Sequence, residues 1–179
     1  MILVAVGANV PAADGVGSLE NCVRALALLA EAGVAAVDRS RWYRSPPWPR
    51  SDQPDYTNAV VRVDAAGPPE SLLERLHAVE ARMGRVRGAR NAARVIDLDL
   101  IAFGRLIRGA DGEGGSAAIR LPHPRLQDRA FVLFPLRDVA PGWIHPVSGR
   151  SVDEMIADLP GDHECVAIGA APGAIRGNR

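Results

Sequence analysis

Two aspartates inside an otherwise apolar run constrain this chain more than any other feature. Residues 94–104 read Arg-Val-Ile-Asp-Leu-Asp-Leu-Ile-Ala-Phe-Gly. A β-branched and apolar run closed by glycine predicts a strand. Side chains at i and i+2 of a strand share a face, with α-carbons roughly 6.6–7 Å apart. Asp97 and Asp99 therefore point one way, and Ile96, Leu98 and Leu100 the other. Like charges about 4 Å apart repel by roughly 4 kcal/mol at an effective dielectric near 20. A sheet carrying both acids needs water on that face, or a cation. From this stretch alone two readings stay open. One is a solvated edge strand; the other is a hard divalent ion such as Mg²⁺, which takes oxygen ligands, commonly one or two carboxylates plus substrate phosphates.

The residues just upstream bear on that choice. Residues 81–96 contain no acid but five arginines: Arg82, Arg85, Arg87, Arg90 and Arg94. The whole chain is neutral, with 21 basic and 21 acidic residues, so this is local segregation of charge. Arginine forks suit phosphate oxygens bidentately. Paired carboxylates beside an arginine-rich loop are what phosphoryl transfer requires, namely positioning and charge neutralisation. The alternative is a solvated basic loop, or arginines paired with acids elsewhere. All 21 basic residues are arginine. The absence of lysine excludes a Walker-type phosphate loop, Schiff-base chemistry and the lysine of protein kinases.

At 179 residues and 47% hydrophobic, the chain can bury one sizeable core. A single domain is expected over residues 1–160, with a tail at 161–179 that is poorly ordered at its end. Residues 1–10 are apolar but short and carry no basic leader, which suggests a buried strand. No run approaches the ~20 apolar residues of a membrane span. The two cysteines, Cys22 and Cys165, suggest no disulfide framework, and a cytoplasmic protein is expected. Cys22 falls on the apolar side of a predicted helix, where it packs.

In order, residues 2–6 predict a central strand buried on both faces. Ser18 is a candidate N-cap for a helix with Leu19, Cys22, Val23, Leu26 and Leu29 at helical spacing, closed by Gly33. Residues 34–43 predict a second strand. Residues 45–54, with four prolines, form a stiff loop carrying Trp48. That aromatic either binds something flat or caps the core edge. Residues 55–64 alternate as a strand, with Thr57, Ala59, Val61 and Val63 on one face and Tyr56, Asn58, Val60 and Arg62 on the other, more open face. Asn58 could read a heterocycle's hydrogen-bonding edge, or be a plain surface amide. Pro68 and Pro69 open a helix bearing Leu72, Leu73, Leu76, Val79 and Met83, with His77 and Glu80 in its later turns and Gly84 at its end.

The resulting order, strand–helix–strand–strand–helix–strand, is the split βαβ pattern of ferredoxin-like α+β folds. Both helices then lie on one side and leave a sheet face free for a ligand. Beyond residue 104 come a glycine-rich hairpin tip or loop, then His123 fixed between Pro122 and Pro124, and Arg129. Phe131, Leu133 and Leu136 follow on a short helix or strand. Residues 151–159 predict a short helix, and residues 160–179 lose periodicity.

Several motifs in this order resemble one family. They are Val6-Gly7-Ala8-Asn9, Tyr43-Arg44-Ser45-Pro46-Pro47, Gln53-Pro54-Asp55-Tyr56-x-Asn58, Glu80-x3-Gly84-Arg85-x-Arg87, Asp97-Leu98-Asp99-Leu100 and Leu121-Pro122-His123-Pro124-x4-Arg129-x-Phe131. The chain is similar, from the first strand to about residue 160, to the 6-hydroxymethyl-7,8-dihydropterin pyrophosphokinases of folate biosynthesis. The resemblance implies a ferredoxin-like βαββαβ core with extra C-terminal strands and short helices. It implies Mg²⁺-dependent transfer of the diphosphoryl unit of ATP to the pterin hydroxymethyl group, with release of AMP.

By the same resemblance, Asp97 and Asp99 hold two Mg²⁺ ions, and Arg85 and Arg94 are catalytic with them. His77, Glu80, Arg87, Arg90, His123 and Arg129 fall at ATP-binding positions. Ser45, Pro46, Pro47, Trp48, Tyr56, Asn58 and Phe131 fall at pterin-binding positions. A monomer without nucleic-acid or membrane partners is expected. One departure stands out. Many members have Arg-Trp-Gly-Pro-Arg before the metal strand, whereas this chain has Arg90-Asn91-Ala92-Ala93-Arg94, one residue shorter overall and with no aromatic at Asn91. The competing class is an RNA-binding ferredoxin-like sheet. Against it stand 4% aromatic residues, zero net charge and two acids on the face that would meet RNA.

Overall fold

Strand β1, Ile2–Ala8, is the sheet's organising element, hydrogen-bonded on both edges. Its neighbours are β4, Tyr56–Ala65, and β5, Asp97–Phe103, both antiparallel to it. The computed structural model describes residues 1–85, 93–109, 119–161 and 164–169. The remaining elements are α1 (Ser18–Glu31), β2 (Val34–Arg39), β3 (Trp42–Ser45), α2 (Pro69–Arg82), α3 (Ala130–Val139), α4 (Val152–Ala157) and β6 (Val166–Ile168). The strand order is β5-β1-β4-β3-β6, with β2 also beside β4. This is a ferredoxin-like α+β arrangement, extended at its end by two helices and an edge strand.

Alternation along β1 sorts two cores. Val4, Val6 and Ala8 face α1 and α2, packing with Cys22, Leu29, Leu72 and Leu76. Leu98 and Leu100 of β5 join them, together with Ile96 just before it. Leu3 faces the other way, with Val60, Ile101, Leu133, Leu136 and Met155. The free sheet face expected from the sequence is therefore only half free. Apolar side chains at Leu3, Val60 and Ile101 favour burial at roughly 25 cal/mol per Å², and α3 and α4 supply the cover. A register shift opposite Leu3 and Val4 lets Ile101 and Ala102 both reach that second core.

Two local expectations are corrected. The strand expected over residues 34–43 is broken into β2 and β3. At the break, buried Ser40 accepts Val60 N–H through its hydroxyl at 3.0 Å and donates to the Arg41 carbonyl at 2.6 Å. A side chain thus replaces a ladder bond and turns the strand. Ser18 is the first helical residue and not the N-cap, which is Gly17. Its hydroxyl instead lies 2.9 Å from that of buried Thr57, which would otherwise have no partner there. Strand β6, added beside β3, carries no periodic signal in the sequence.

Leu98 sits between the two aspartates but faces the helices at 2% exposure. Leu98→Ala is expected to cost about 2–5 kcal/mol in urea unfolding; a loss below about 1 kcal/mol would contradict this packing.

Candidate active site

Where α3 stops covering the sheet, a cavity of about 340 Å³ opens. Its floor follows from strand register. Gly7 pairs with Asn58 on one side and with Asp97 on the other. Two residues back, Ala5 pairs with Val60 and Asp99. Opposed residues share a face, so one row reads Asn58–Gly7–Asp97 across three strands. Gly7 and Ala5 keep that floor low. A Cβ at Gly7 would stand 3.0 Å from Asn58 Oδ1, so the amide occupies space that only glycine leaves.

Asp97 and Asp99 both line the cavity, with side chains 23% and 38% exposed. Both are within reach of a ligand from solvent. Their repulsion is met by arginine. Arg85 donates to Asp97 Oδ1 at 2.6 Å, and Arg94 pairs with the other oxygen. Arg129 Nη1 lies 3.6 Å from Asp99 Oδ2, and His123 Nε2 lies 4.0 Å from the same atom. Burial pushes the Asp97 pKa up, the Asp99 charge adds to this, and Arg94 and Arg85 pull it back.

This pair fits a hard divalent cation that completes its shell with phosphate and water. Mg²⁺ is commonly held by one or two protein carboxylates. Among the described residues there is no cluster of three or more acids, histidines or cysteines that could form an all-protein cage. The donor set therefore suits an ion arriving with a polyphosphate.

Glu80 and His77 stand apart from this surface. Glu80 is buried, accepts Leu98 N–H at 2.8 Å and pairs with Arg85. It ties α2 to β5 from behind and steadies Arg85. Burial pushes its carboxyl up to about 7, against the Leu98 N–H and Arg85. His77 is half-buried on α2, and neither residue lines the cavity. Arg87, Arg90 and Asn91 lie outside the described residues.

The opposite wall is built by residues 121–131. His123 N–H donates to the Ile101 carbonyl at 2.9 Å, and its Nδ1 accepts Arg125 N–H at 3.2 Å. With Nδ1 as acceptor, Nε2 carries the hydrogen of the neutral ring. Burial, then Arg129 and Arg125, push its pKa down to about 4, so it is neutral at pH 7. Arg129 stacks over Phe131 at 5.4 Å, and its buried Nε has no partner among the described residues. Arg125 also lines the cavity.

The remaining wall is the proline-rich loop. Ser45, Pro46, Pro47 and Trp48 line the cavity with Tyr56, Asn58 and Phe131. Trp48 is 46% exposed, so it does not serve as a core cap. Asn58 is buried and donates to Ser45 Oγ at 3.0 Å, which fixes the amide and ties the loop to the sheet.

Sequence reasoning assigned no role to Asn9 or Arg125. Buried Asn9 accepts Arg94 N–H at 2.7 Å and donates to Gln53 Oε1 and the Pro54 carbonyl at 3.0 and 3.2 Å. One amide joins the arginine segment to the proline-rich loop. Its signals were a polar residue following a buried strand and its place in the Val6-Gly7-Ala8-Asn9 motif, neither of which gives it a role.

The family described as 7,8-dihydro-6-hydroxymethylpterin-pyrophosphokinase (HPPK) matches residues 3–141. A 2-amino-4-hydroxy-6-hydroxymethyldihydropteridine pyrophosphokinase of Synechocystis sp. is 36% identical over 177 residues, covering 96% of this chain and 80% of that protein. One so named from Methylorubrum extorquens is 40% identical over 132 residues, 74% of this chain and 78% of its own. The folic acid synthesis protein fol1 of Pneumocystis carinii is 36% identical over 132 residues, which is 74% of this chain but 17% of the larger protein.

The elevated Glu80 pKa has a measurable consequence. From its ordinary value of 4.5 to about 7, the native state binds more protons than the unfolded state. Its stabilising share is fully present below about pH 4.5 and is lost as pH rises through about 7. Glu80→Gln removes that titration. Urea unfolding across this range is expected to show the variant gaining on the parent by on the order of 2–3 kcal/mol. A gap constant with pH would contradict the assignment.

Proposed function

We infer the working of the site from one premise: the chain belongs to the 7,8-dihydro-6-hydroxymethylpterin-pyrophosphokinase family. It is a pyrophosphokinase of folate synthesis, and transfers pyrophosphate from ATP to the hydroxymethyl group of 6-hydroxymethyl-7,8-dihydropterin, releasing AMP. The observation that carries the mechanism is the same-face pair Asp97 and Asp99, with Asp97 in one row with Gly7 and Asn58.

In this reading Asp97 and Asp99 hold two Mg²⁺ ions. When bound, such ions neutralise charge on the transferred diphosphoryl group. Arg85 and Arg94 give up Asp97 and turn to phosphate oxygens as the nucleotide enters. Both pairs are partly exposed, so the exchange replaces one charge-assisted contact by another. Arg129 and neutral His123 meet the phosphates from the far wall. Arg87, Arg90 and His77 are assigned to ATP by the family resemblance alone, and Glu80 acts by holding Arg85 and β5.

The pterin lies over Gly7, between Tyr56 and Phe131 and against the wall of Ser45, Pro46, Pro47 and Trp48. The Asn58 amide has its Nδ2 committed to Ser45, so its Oδ1 is left to accept from a heterocycle N–H. Among the described residues, no side chain of the cavity is an evident strong base. Alignment of the hydroxyl with the β-phosphorus, and electrostatic stabilisation, carry the rate. We further place the protein in the cytosol as a monomer; its two cysteines are unpaired, and among the described residues no helix is long and apolar enough to cross a membrane.

Asp97→Ala and Asp99→Ala are each expected to lower Mg²⁺-dependent AMP release from ATP plus pterin by roughly 10²-fold or more, with the circular dichroism spectrum retained. Turnover at the parent rate in either variant would refute the reading.

A further inference from the structure

Four arginines line the described part of the cavity, and three are committed to acids. Arg85 and Arg94 are on Asp97, and Arg129 faces Asp99. The fourth, Arg125, has an exposed side chain and makes no ion pair among the described residues. Its backbone is nonetheless fixed. Its N–H donates to His123 Nδ1 at 3.2 Å, and the next residue, Leu126, is fully buried with its N–H on the His123 carbonyl at 3.0 Å. His123 is itself bonded to the Ile101 carbonyl within the aspartate strand. The short path Ile101–His123–Arg125 thus presents a free guanidinium on a rigid base, on the wall that faces Asp99.

We propose that Arg125 is a polyphosphate-binding residue that engages the phosphate tail of the nucleotide and not the heterocycle. The inference rests on the nucleotide reading given above. Two considerations separate Arg125 from its neighbours. Arg85, Arg94 and Arg129 each already face a carboxylate, whereas Arg125 faces none among the described residues. It is therefore suited to the first capture of the anion, before the inner arginines leave their acids. Its place beside His123 and Arg129 also puts it with the charged residues of the cavity. Tyr56 and Asn58, on the sheet, form the part suited to an aromatic ring.

The test compares binding of a non-hydrolysable ATP analogue with Mg²⁺, and of AMP, to the parent protein and to Arg125→Ala. A charge-assisted contact at an exposed site predicts about tenfold weaker analogue binding in the variant. AMP affinity and the KM for pterin are expected to stay within about twofold. In turnover the loss falls on the KM for ATP. The side chain is exposed, so the variant is expected to melt with the parent. Equal loss for AMP and analogue, or a rise confined to the pterin KM, would overturn the proposal. If the parent binds the analogue and the variant binds it equally well, the inference fails and the nucleotide reading stands. If the parent binds no nucleotide, both fail.

Discussion

Two carboxylates forced onto one face of a strand set the terms for everything around them. Asp97 and Asp99 cannot be separated without breaking β5, because the pleat fixes i and i+2 on one side. The surrounding structure answers with guanidinium groups from three segments. Arg85 comes from just past the end of α2, Arg94 from just before β5, and Arg129 from the N-cap of α3. The nearby histidine adds no charge, because burial and the adjacent arginines keep it neutral. The acid pair is thus balanced by groups that also suit phosphate. In the proposed reading, metal and nucleotide together would substitute for that balance, with the acids holding the ion and the arginines the phosphates.

The same economy shapes the sheet. Glycine and alanine at positions 7 and 5 of β1 are poor strand formers, yet they sit on an interior strand, between β5 and β4. Their cost is offset by Val4 and Val6 on the opposite face, which are fully packed. The absence of side chains at the floor is what lets Asn58 and Asp97 face one another across an open space. Glu80 and Asn9 then hold the site from outside it. One anchors β5 and Arg85 from the helix layer, and the other joins the Arg94 backbone to the proline-rich loop.

The parts legible in the sequence were those written in local periodicity. The alternation of Asp97 and Asp99 against Ile96, Leu98 and Leu100 needs no tertiary information, nor does the helical spacing of Leu72, Leu76 and Val79. What stayed hidden depends on partners far along the chain. Ser40 breaks its strand because its hydroxyl meets Val60, twenty residues away. Ser18 abandons the cap for Thr57. Half of the open sheet face is covered because Leu3, Val60 and Ile101 match an apolar face of α3, which no single stretch displays. Glu80 looked like a residue of a helix face toward the ligand. Its burial behind Arg85 emerges only when β5 is laid beside α2. Arg125 was unremarkable among 21 arginines until the acid partners of the others were known.

The most direct measurement is a crystal structure with Mn²⁺ in place of Mg²⁺, a non-hydrolysable ATP analogue and the pterin. Anomalous scattering would locate the metal. The account predicts manganese bound to oxygens of both Asp97 and Asp99, with Arg85 and Arg94 moved from Asp97 onto phosphate. Manganese elsewhere, or both arginines still on Asp97 with nucleotide bound, would contradict it.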